Sequence, residues 1–177
     1  IQGGTTLVSC RDITKRKERE RALAHLHRTA RDLLYAETDD DIAEQVVADG
    51  LDVLSVPATA VYGLDAETSV LSPAAQSDGF VDHFGAARDR QLTDDSVGEA
   101  FVDGTSRTLT GDVVPDGLGS VLVVPLGDHG VFVAGMPGPD VDEVTLEFAD
   151  LLSATAEAAL DRVARESDLR ARVSACR

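Results

Sequence analysis

The feature that most constrains the fold is an uninterrupted passage from an apolar segment to a long charged one at the start of the chain. The segment Thr5 to Ser9 has the composition of a β-strand, and residues 11–14 lead from it into a helical pattern without glycine or proline. One strand joined to a long helix cannot form a domain by itself. We therefore expect the chain to begin with the end of one module and to continue into another, as signalling proteins do.

A long first helix is predicted from Thr14 to about Ala36. Its apolar residues are three or four positions apart and form one narrow stripe: Leu23, Leu26, Ala30 and Leu33. A second stripe near the C-terminus has the same spacing: Leu152, Ala156, Ala159 and Val163. We expect the Leu33 and Leu151 ends to pack on the sheet and the outer turns to pair with a second copy as a coiled coil. The alternative is that both stripes only pack on the sheet.

Charge is segregated along the chain. The net charge is −16, and residues 35–161 have 26 acidic side chains and three basic ones, whereas both ends are basic. Asp outnumbers Glu by 22 to 10, Arg outnumbers Lys by 14 to 2, and Asn and Trp are absent. Such a surface suits a cytoplasm at molar salt, where charges are screened within about 3 Å. We therefore predict a halophilic archaeal source and a cytoplasmic location, and we interpret acidic pairs as ordinary surface.

The first half of the segment between these ends predicts a helix and a pair of strands. Thr38 and Asp41 have the spacing of a capping box at the start of a helix from Asp39 to about Leu54. The strands Ala58 to Leu64 and Ser69 to Gln76 follow, joined by a short turn. These two strands are expected to be antiparallel.

The second half predicts a helix and a β-hairpin. Ser96 and Glu99 match the S-x-x-E capping box of a helix that ends at Gly104. The strands Ser120 to Leu126 and Val131 to Met136 flank a turn bounded by glycines, which is typical of a hairpin. The sequence thus favours an α+β fold with a central antiparallel sheet.

A last helix, capped by Asp140 and Glu143, completes an order of elements that resembles the GAF domain family. Residues 95–104, Asp-Ser-Val-Gly-Glu-Ala-Phe-Val-Asp-Gly, are similar to the S-x-G-x-A-x-x-x-G stretch of that family. Residues 121–136 resemble its closing hairpin, and the resemblance spans residues 22–165. It implies terminal helices packed on one face of the sheet and extended as a coiled-coil-like dimer stem.

The opening segment resembles another family. Residues 4–18 are similar to the last strand of a PAS domain and its D-I-T-x-R-K-x-x-E exit motif. This resemblance implies that Asp12 and Thr14 tie the PAS sheet to the exit helix. A PAS end, a GAF pattern and this composition in one chain resemble the bacterio-opsin activator-like transcription regulators of haloarchaea. In those proteins a helix-turn-helix domain follows the GAF domain, so we expect DNA binding only through residues beyond Arg177.

These resemblances imply four parts of the chain. Residues 1–14 would be the end of a PAS domain and residues 15–36 the signalling helix. Residues 37–165 would be the GAF body with its last helix, and residues 166–177 a connector to an output domain.

The GAF resemblance also implies where a ligand would bind, which is beneath the irregular segment on the other face of the sheet. The lining would consist of Tyr62, Phe80, Phe84, Leu92, Val97, Phe101 and Val123. The alternative is that these side chains fill the space themselves. With five Phe and no Trp, the chain needs most of its large side chains as core.

The residues do not indicate catalysis, a metal site or a cofactor. Cys10 and Cys176 lie at opposite ends, so the internal cysteines of GAF methionine sulfoxide reductases and of bilin-binding GAF domains have no counterpart. The Asn of the cyclic-nucleotide GAF pattern is absent. His25 and His27 lie on different sides of a helix and cannot share a metal.

Two classes of function follow from these observations. The first is a homodimeric sensory and relay module, with an unidentified small molecule as a possible ligand and a sensor histidine kinase as the alternative to a transcription regulator. The second is a small enzyme on a GAF scaffold, which the missing nucleophile and base weigh against. No apolar stretch approaches the ~20 residues of a membrane span, so no membrane partner is expected.

Overall fold

The computed structural model describes the backbone of residues 2–93 and 95–177, and the side chains of residues 12–93 and 95–177. The helices are α1 (Gln2–Leu33), α2 (Asp39–Leu54), α3 (Asp78–Phe84), α4 (Ser96–Asp103) and α5 (Glu143–Ala175). The strands are β1 (Ala58–Asp65), β2 (Val70–Gln76), β3 (Arg90–Gln91), β4 (Arg107–Leu109), β5 (Ser120–Pro125) and β6 (Gly130–Met136).

The strands form one antiparallel sheet in the order β3-β2-β1-β6-β5-β4. The central strands β1 and β6 pair from Ala58 opposite Gly135 to Gly63 opposite Gly130. The pairing of β1 with β2 shifts by one residue at Tyr62, which lies opposite Pro73. A proline cannot donate to the ladder, and such residues occur at bulges of this kind. The predicted α+β fold with an antiparallel sheet is confirmed.

Each face of the sheet covers its own hydrophobic core. On one face, which we call the helix face, α1, α2 and α5 enclose a core that includes Leu33, Ile42 and Leu152. On the other face, which we call the second face, α3 and α4 cover a smaller core around Tyr62 and Phe80. The terminal helices therefore pack on one face of the sheet, as the sequence predicts.

The start of the chain differs from the prediction. The structure continues α1 through Thr5 to Ser9, where the sequence favours a strand, and Thr14 lies within this helix instead of capping it. A strand needs neighbours for its backbone hydrogen bonds, and none of the described strands pairs with this segment. The backbone groups are therefore satisfied inside a helix. Asp12 and Thr14 are exposed, and their role as a PAS exit motif stays a prediction.

The start of α2 confirms the predicted capping box. The Thr38 hydroxyl accepts from the Asp41 main-chain N–H at 3.1 Å, and the Asp41 carboxylate accepts from the Thr38 N–H at 3.2 Å. The side of this helix that packs against the core is buried and includes Ile42, Val46, Val47, Gly50 and Leu54.

Two other caps are displaced from the predicted residues. Asp95, and not Ser96, caps α4: its carboxylate accepts from the main-chain N–H groups of Val97 and Gly98 at 2.8 and 3.0 Å. The cap of α5 is Asp142, and not Asp140; its carboxylate accepts from the Thr145 N–H at 2.7 Å. In both cases a short carboxylate just before the first helical residue reaches the unpaired N–H groups.

Candidate functional site

The helices α1 and α5 lie side by side and run in the same direction. Arg19, in the middle of α1, forms an ion pair of 3.2 Å with Glu147, near the start of α5. Near the end of α1, Arg162 of α5 donates to the main-chain carbonyl of Leu33 at 3.0 Å. The first turns of α1 therefore extend past the start of α5. At the opposite end, residues 164–175 extend α5 by about 18 Å at 1.5 Å per residue.

The two predicted stripes contribute to the core of the chain itself. Six of their eight residues are buried there: Leu26, Leu33, Leu152, Ala156, Ala159 and Val163. Ala30 is half-buried, and Leu23 is 42% exposed because the buried face of α1 follows Ala22, Leu26, Thr29 and Leu33 instead. Val163 was expected on an outer turn and is buried, since α5 packs against the body up to this residue. A second copy therefore cannot use most of these stripes without opening the core.

The outer turns of both helices expose other apolar residues. On the projecting part of α5, Leu169 and Val173 are each 62% exposed and lie one turn apart. Cys176, an exposed free thiol, follows three residues later. On the first part of α1, Ile13 is 51% exposed. These residues offer an unpartnered helix surface outside the core.

The seven predicted pocket residues come together on the second face. Four of them are buried: Tyr62, Phe80, Val97 and Val123. Phe84, Leu92 and Phe101 are partly buried and pack against the same core. The rings of Phe80 and Phe84 stack with their centroids 4.4 Å apart. Their role as the lining of a ligand site stays a prediction.

A polar group that the sequence reading missed lies among these apolar side chains. Arg90 of β3 places its guanidinium carbon 5.3 Å from the centroid of the Tyr62 ring, and its Nη1 lies 2.5 Å from the carboxylate of Asp95. Burial opposes the charge of Arg90, but Tyr62 and Asp95 outweigh this effect and raise the pKa of the guanidinium. A lone arginine in a short edge strand has no sequence pattern that would reveal this contact.

Two donors in this group lack a hydrogen-bond partner among the described residues. The Tyr62 hydroxyl and the Arg90 Nε are both buried, and neither has a partner in good hydrogen-bond geometry among the described residues, although the two side chains are close enough for Tyr62 to raise the pKa of Arg90. A buried polar atom without a partner costs free energy, and in native proteins it usually bonds to a water molecule or a ligand. An acceptor oxygen beside Tyr62 and Arg90 would satisfy both donors. This is the chemistry that the second face offers.

The position of α4 over this site depends on a close backbone approach. A Cβ at Gly98 would lie 2.5 Å from the carbonyl oxygen of Leu92 and 2.7 Å from that of Gln91. No side chain fits at such distances, so glycine is required where α4 crosses the segment after β3. This glycine belongs to the stretch on which the family resemblance rests.

The histidines do not assemble a metal site. His129, in the turn between β5 and β6, places its Nε2 2.6 Å from the carboxylate of Asp161 on α5. His25 is half-buried, His27 is exposed, and residues 12–93 and 95–177 contain no cluster of three or more potential metal ligands. Over the same described residues, no helix is both long and apolar enough to cross a membrane.

Comparison with known proteins shows the fold. No family model matches the sequence, and no match was found among curated proteins. Among solved structures, the GAF domain of an Acinetobacter phosphoenolpyruvate-protein phosphotransferase aligns with a TM-score of 0.66 and 19% identity, over 81% of this chain and 94% of that one. The second GAF domain of DevS from Mycobacterium smegmatis aligns with a TM-score of 0.63 and 23% identity, over 75% and 99%.

An enzyme has the same fold as well. The free methionine-R-sulfoxide reductase of Neisseria meningitidis aligns with a TM-score of 0.65 and 16% identity, over 80% of this chain and 89% of that one. The chain therefore has the fold of GAF domains, and this fold by itself does not decide between sensing and catalysis.

Proposed function

We propose that this GAF-fold chain is a sensory and relay module of a cytoplasmic signal-transduction protein of a halophilic archaeon, specifically a bacterio-opsin activator-like transcription regulator. The observation that supports this function is the parallel arrangement of α1 and α5. The two helices share one core and project from opposite ends of the body. A body of this kind can receive a displacement through one helix and pass it to the other.

The contacts between the helices explain how a displacement would be transmitted. Leu26 and Leu33 of α1 belong to the same packed core as Leu152 and Ala156 of α5. Packed cores resist continuous deformation and shift between discrete arrangements. A change in the register of α1 is therefore relayed to α5 as a shift of population between two packings.

The sheet offers a second input from the second face. Tyr62 belongs to the core of that face, and the preceding residue, Val61, belongs to the core under the helices. Val123 and Val124 are related in the same way on β5. A ligand that displaces side chains on the second face would therefore move the opposite side of the same strands. The unpartnered donors of Tyr62 and Arg90 support a ligand with an acceptor oxygen.

Dimerisation is assigned to the projecting helices. Leu169 and Val173 provide apolar contacts, while Arg165, Arg170 and Arg172 lie around them on the same helix. Two copies of this segment repel each other at low salt, and molar salt screens this repulsion within about 3 Å. The proposed dimer is therefore favoured under the conditions that the acidic composition indicates.

The relay is tested by changing the phase of α5 in the full-length protein. An insertion of two residues after Ser167 rotates everything beyond it by about 200°, whereas an insertion of seven changes the phase by only about 20°. We expect the first insertion to abolish regulated transcription and the second to preserve it. Equal output from both would refute a relay through α5. The coding sequence beyond residue 177 tests which output domain the protein has. A helix-turn-helix domain there supports the transcription regulator, whereas an ATP-binding kinase domain would make the protein a sensor histidine kinase instead.

A further inference from the structure

A cleft lies on the helix face, between α2 and the turn that joins β5 to β6. Most of its lining is aliphatic, and this part, its floor, includes Ile42, Ala43, Val46, Val61, Leu126 and Leu160. Its mouth is polar, with Asp39 from the start of α2 and with Asp128 and His129 from the turn. Of the seven residues predicted to line the pocket on the second face, only Tyr62 also borders this cleft.

The size of the cleft limits what it can hold. Its volume is about 260 Å³, whereas an apolar cavity of about 150 Å³ accepts benzene and pockets for drug-sized ligands begin near 300 Å³. A single ring with a short chain therefore fits. A tetrapyrrole or a dinucleotide does not.

The charged groups at the mouth determine which ligand charge the cleft prefers. Asp39 and Asp128 are exposed carboxylates, and the imidazole of His129 is engaged by Asp161 at 2.6 Å. The first turn of α2 has three aspartates, which offset the positive end of the helix dipole. An oxyanion at this mouth would meet like charges. A cation in contact with a carboxylate keeps part of its attraction even at molar salt, because the contact distance is close to the screening length.

We propose that this cleft binds a small apolar cation of the class of protonated aryl-alkyl amines. The ring lies on the aliphatic floor, and the ammonium group lies at the mouth beside Asp39 and Asp128. Apolar contact with the floor contributes the affinity, and the carboxylates at the mouth give the preference for a positively charged ligand.

A ligand bound in the cleft would contact α5 close to the point where α5 bonds to α1. Leu160 lines the cleft and lies two residues before Arg162, which bonds to the end of α1. An occupant therefore touches α5 just before its projecting part begins. Binding itself does not depend on the relay or on a ligand at the second face, so a failure here leaves the proposed function standing.

The test follows the methyl group of Ile42 by NMR, in the intact chain labelled at its isoleucine methyls. Phenethylammonium is titrated, with 2-phenylethanol as a neutral probe and 3-phenylpropionate as an anionic probe of similar size. We expect the Ile42 signal to shift and to saturate as phenethylammonium is added. The affinity derived from this shift should be lower for 2-phenylethanol and lowest for 3-phenylpropionate. Ile13, on the exposed part of α1, serves as the internal control and is expected not to move.

Two substitutions separate the contributions of charge and shape. Asp128→Asn should weaken phenethylammonium binding about twofold to fivefold, as expected for one exposed ion pair. Asp112→Asn removes the same charge away from the cleft and should have no effect. Ala43→Leu fills the floor and should abolish the shift. The proposal is wrong if the Ile42 methyl does not respond, if the carboxylate binds as well as the amine, or if Asp128→Asn binds like the parent chain.

Discussion

The guanidinium of Arg162 donates a hydrogen bond of 2.6 Å to the main-chain carbonyl of Ala36, just beyond the end of α1. A second bond, of 3.0 Å, reaches the carbonyl of Leu33, the last residue of that helix. The last carbonyls of a helix have no partner within it, and a cation near them also interacts favourably with the helix dipole. A residue of α5 thus caps α1 and fixes the two helices to each other.

Replacing Arg162 should weaken the fold measurably. Hydrogen bonds to charged groups contribute about 1.5–3 kcal/mol when buried, and Arg162 is partly exposed, so we expect Arg162→Ala to lower the free energy of unfolding by about 1–3 kcal/mol. Arg165→Ala is the matched control, because Arg165 bonds only within its own helix, to the Asp161 carbonyl. Urea unfolding of both variants makes the comparison. Equal losses would show that the link between the helices is unimportant.

The two leucines of the predicted α1 stripe should behave differently. Leu26 is 9% exposed and Leu23 is 42% exposed. Leu26→Ala creates a cavity and should cost about 2–4 kcal/mol of unfolding free energy, whereas Leu23→Ala should stay within about 0.5 kcal/mol. Thermal or urea unfolding, with the oligomeric state measured by light scattering, distinguishes the two. A larger loss at Leu23 would mean that a second copy covers this residue.

Asp95, and not Ser96, should determine the stability of α4. Removing a capping side chain costs about 0.5–2 kcal/mol, and Asp95→Ala also leaves Arg90 without its counterion. Ser96→Ala, one residue later, should have little effect. Asp95→Asn keeps a capping oxygen and should recover most of the loss, which separates the cap from the ion pair. Unfolding free energies of the three variants provide the measurement.

The carboxylate of Asp142, which caps α5, should make the free energy of unfolding depend on pH in the acid range. The bonds that the Asp142 carboxylate accepts from Thr145 hold the pKa of Asp142 below its ordinary value of 3.8. Because the pKa is lower in the folded chain than in the unfolded chain, this contribution is complete above about pH 3.8 and is lost as the pH falls through the folded value. Asp142→Asn should reduce the acid-induced loss of unfolding free energy, whereas Asp140→Asn, the control, should not.

Removing the Tyr62 hydroxyl should not destabilise the ligand-free chain. This oxygen is buried without a hydrogen-bond partner, so Tyr62→Phe should leave the unfolding free energy unchanged or raise it by up to about 1 kcal/mol. The same substitution should weaken any ligand whose acceptor oxygen bonds to this hydroxyl. A loss of more than about 1 kcal/mol without ligand would indicate that an ordered water already satisfies the group.

Several elements of the fold could be predicted because the residues that specify them are close together in the sequence. The Thr38 capping box, the strand pair ending at Gln76 and the hairpin closed by Gly130 each depend on residues close together in sequence, and each is confirmed. The caps of α4 and α5 were misplaced by one or two residues, since adjacent carboxylates and hydroxyls compete for the same N–H groups. Only the three-dimensional path of the backbone selects Asp95 and Asp142.

The candidate site was only partly predictable. The resemblance to the GAF family pointed to the aromatic residues of the second face. Arg90, however, lies beside Tyr62 because β3 pairs with β2, and a strand of two residues leaves no sequence pattern. Similarly, the spacing of the α1 stripe does not distinguish Ala22 from Leu23. The partner helix decides which neighbouring position is buried.

The sequence by itself determined the order of the longer elements from α2 onward, the antiparallel hairpins, the acidic body and the apolar stripes, because propensity, capping and periodicity act over a few residues. The tertiary structure alone decided that α1 is helical from Gln2 and that the stripes fill the core of the chain itself. It also decided that Arg162 joins the two helices. The last two properties depend on contacts between α1 and α5, whose residues are more than a hundred positions apart, and no local pattern encodes such a contact.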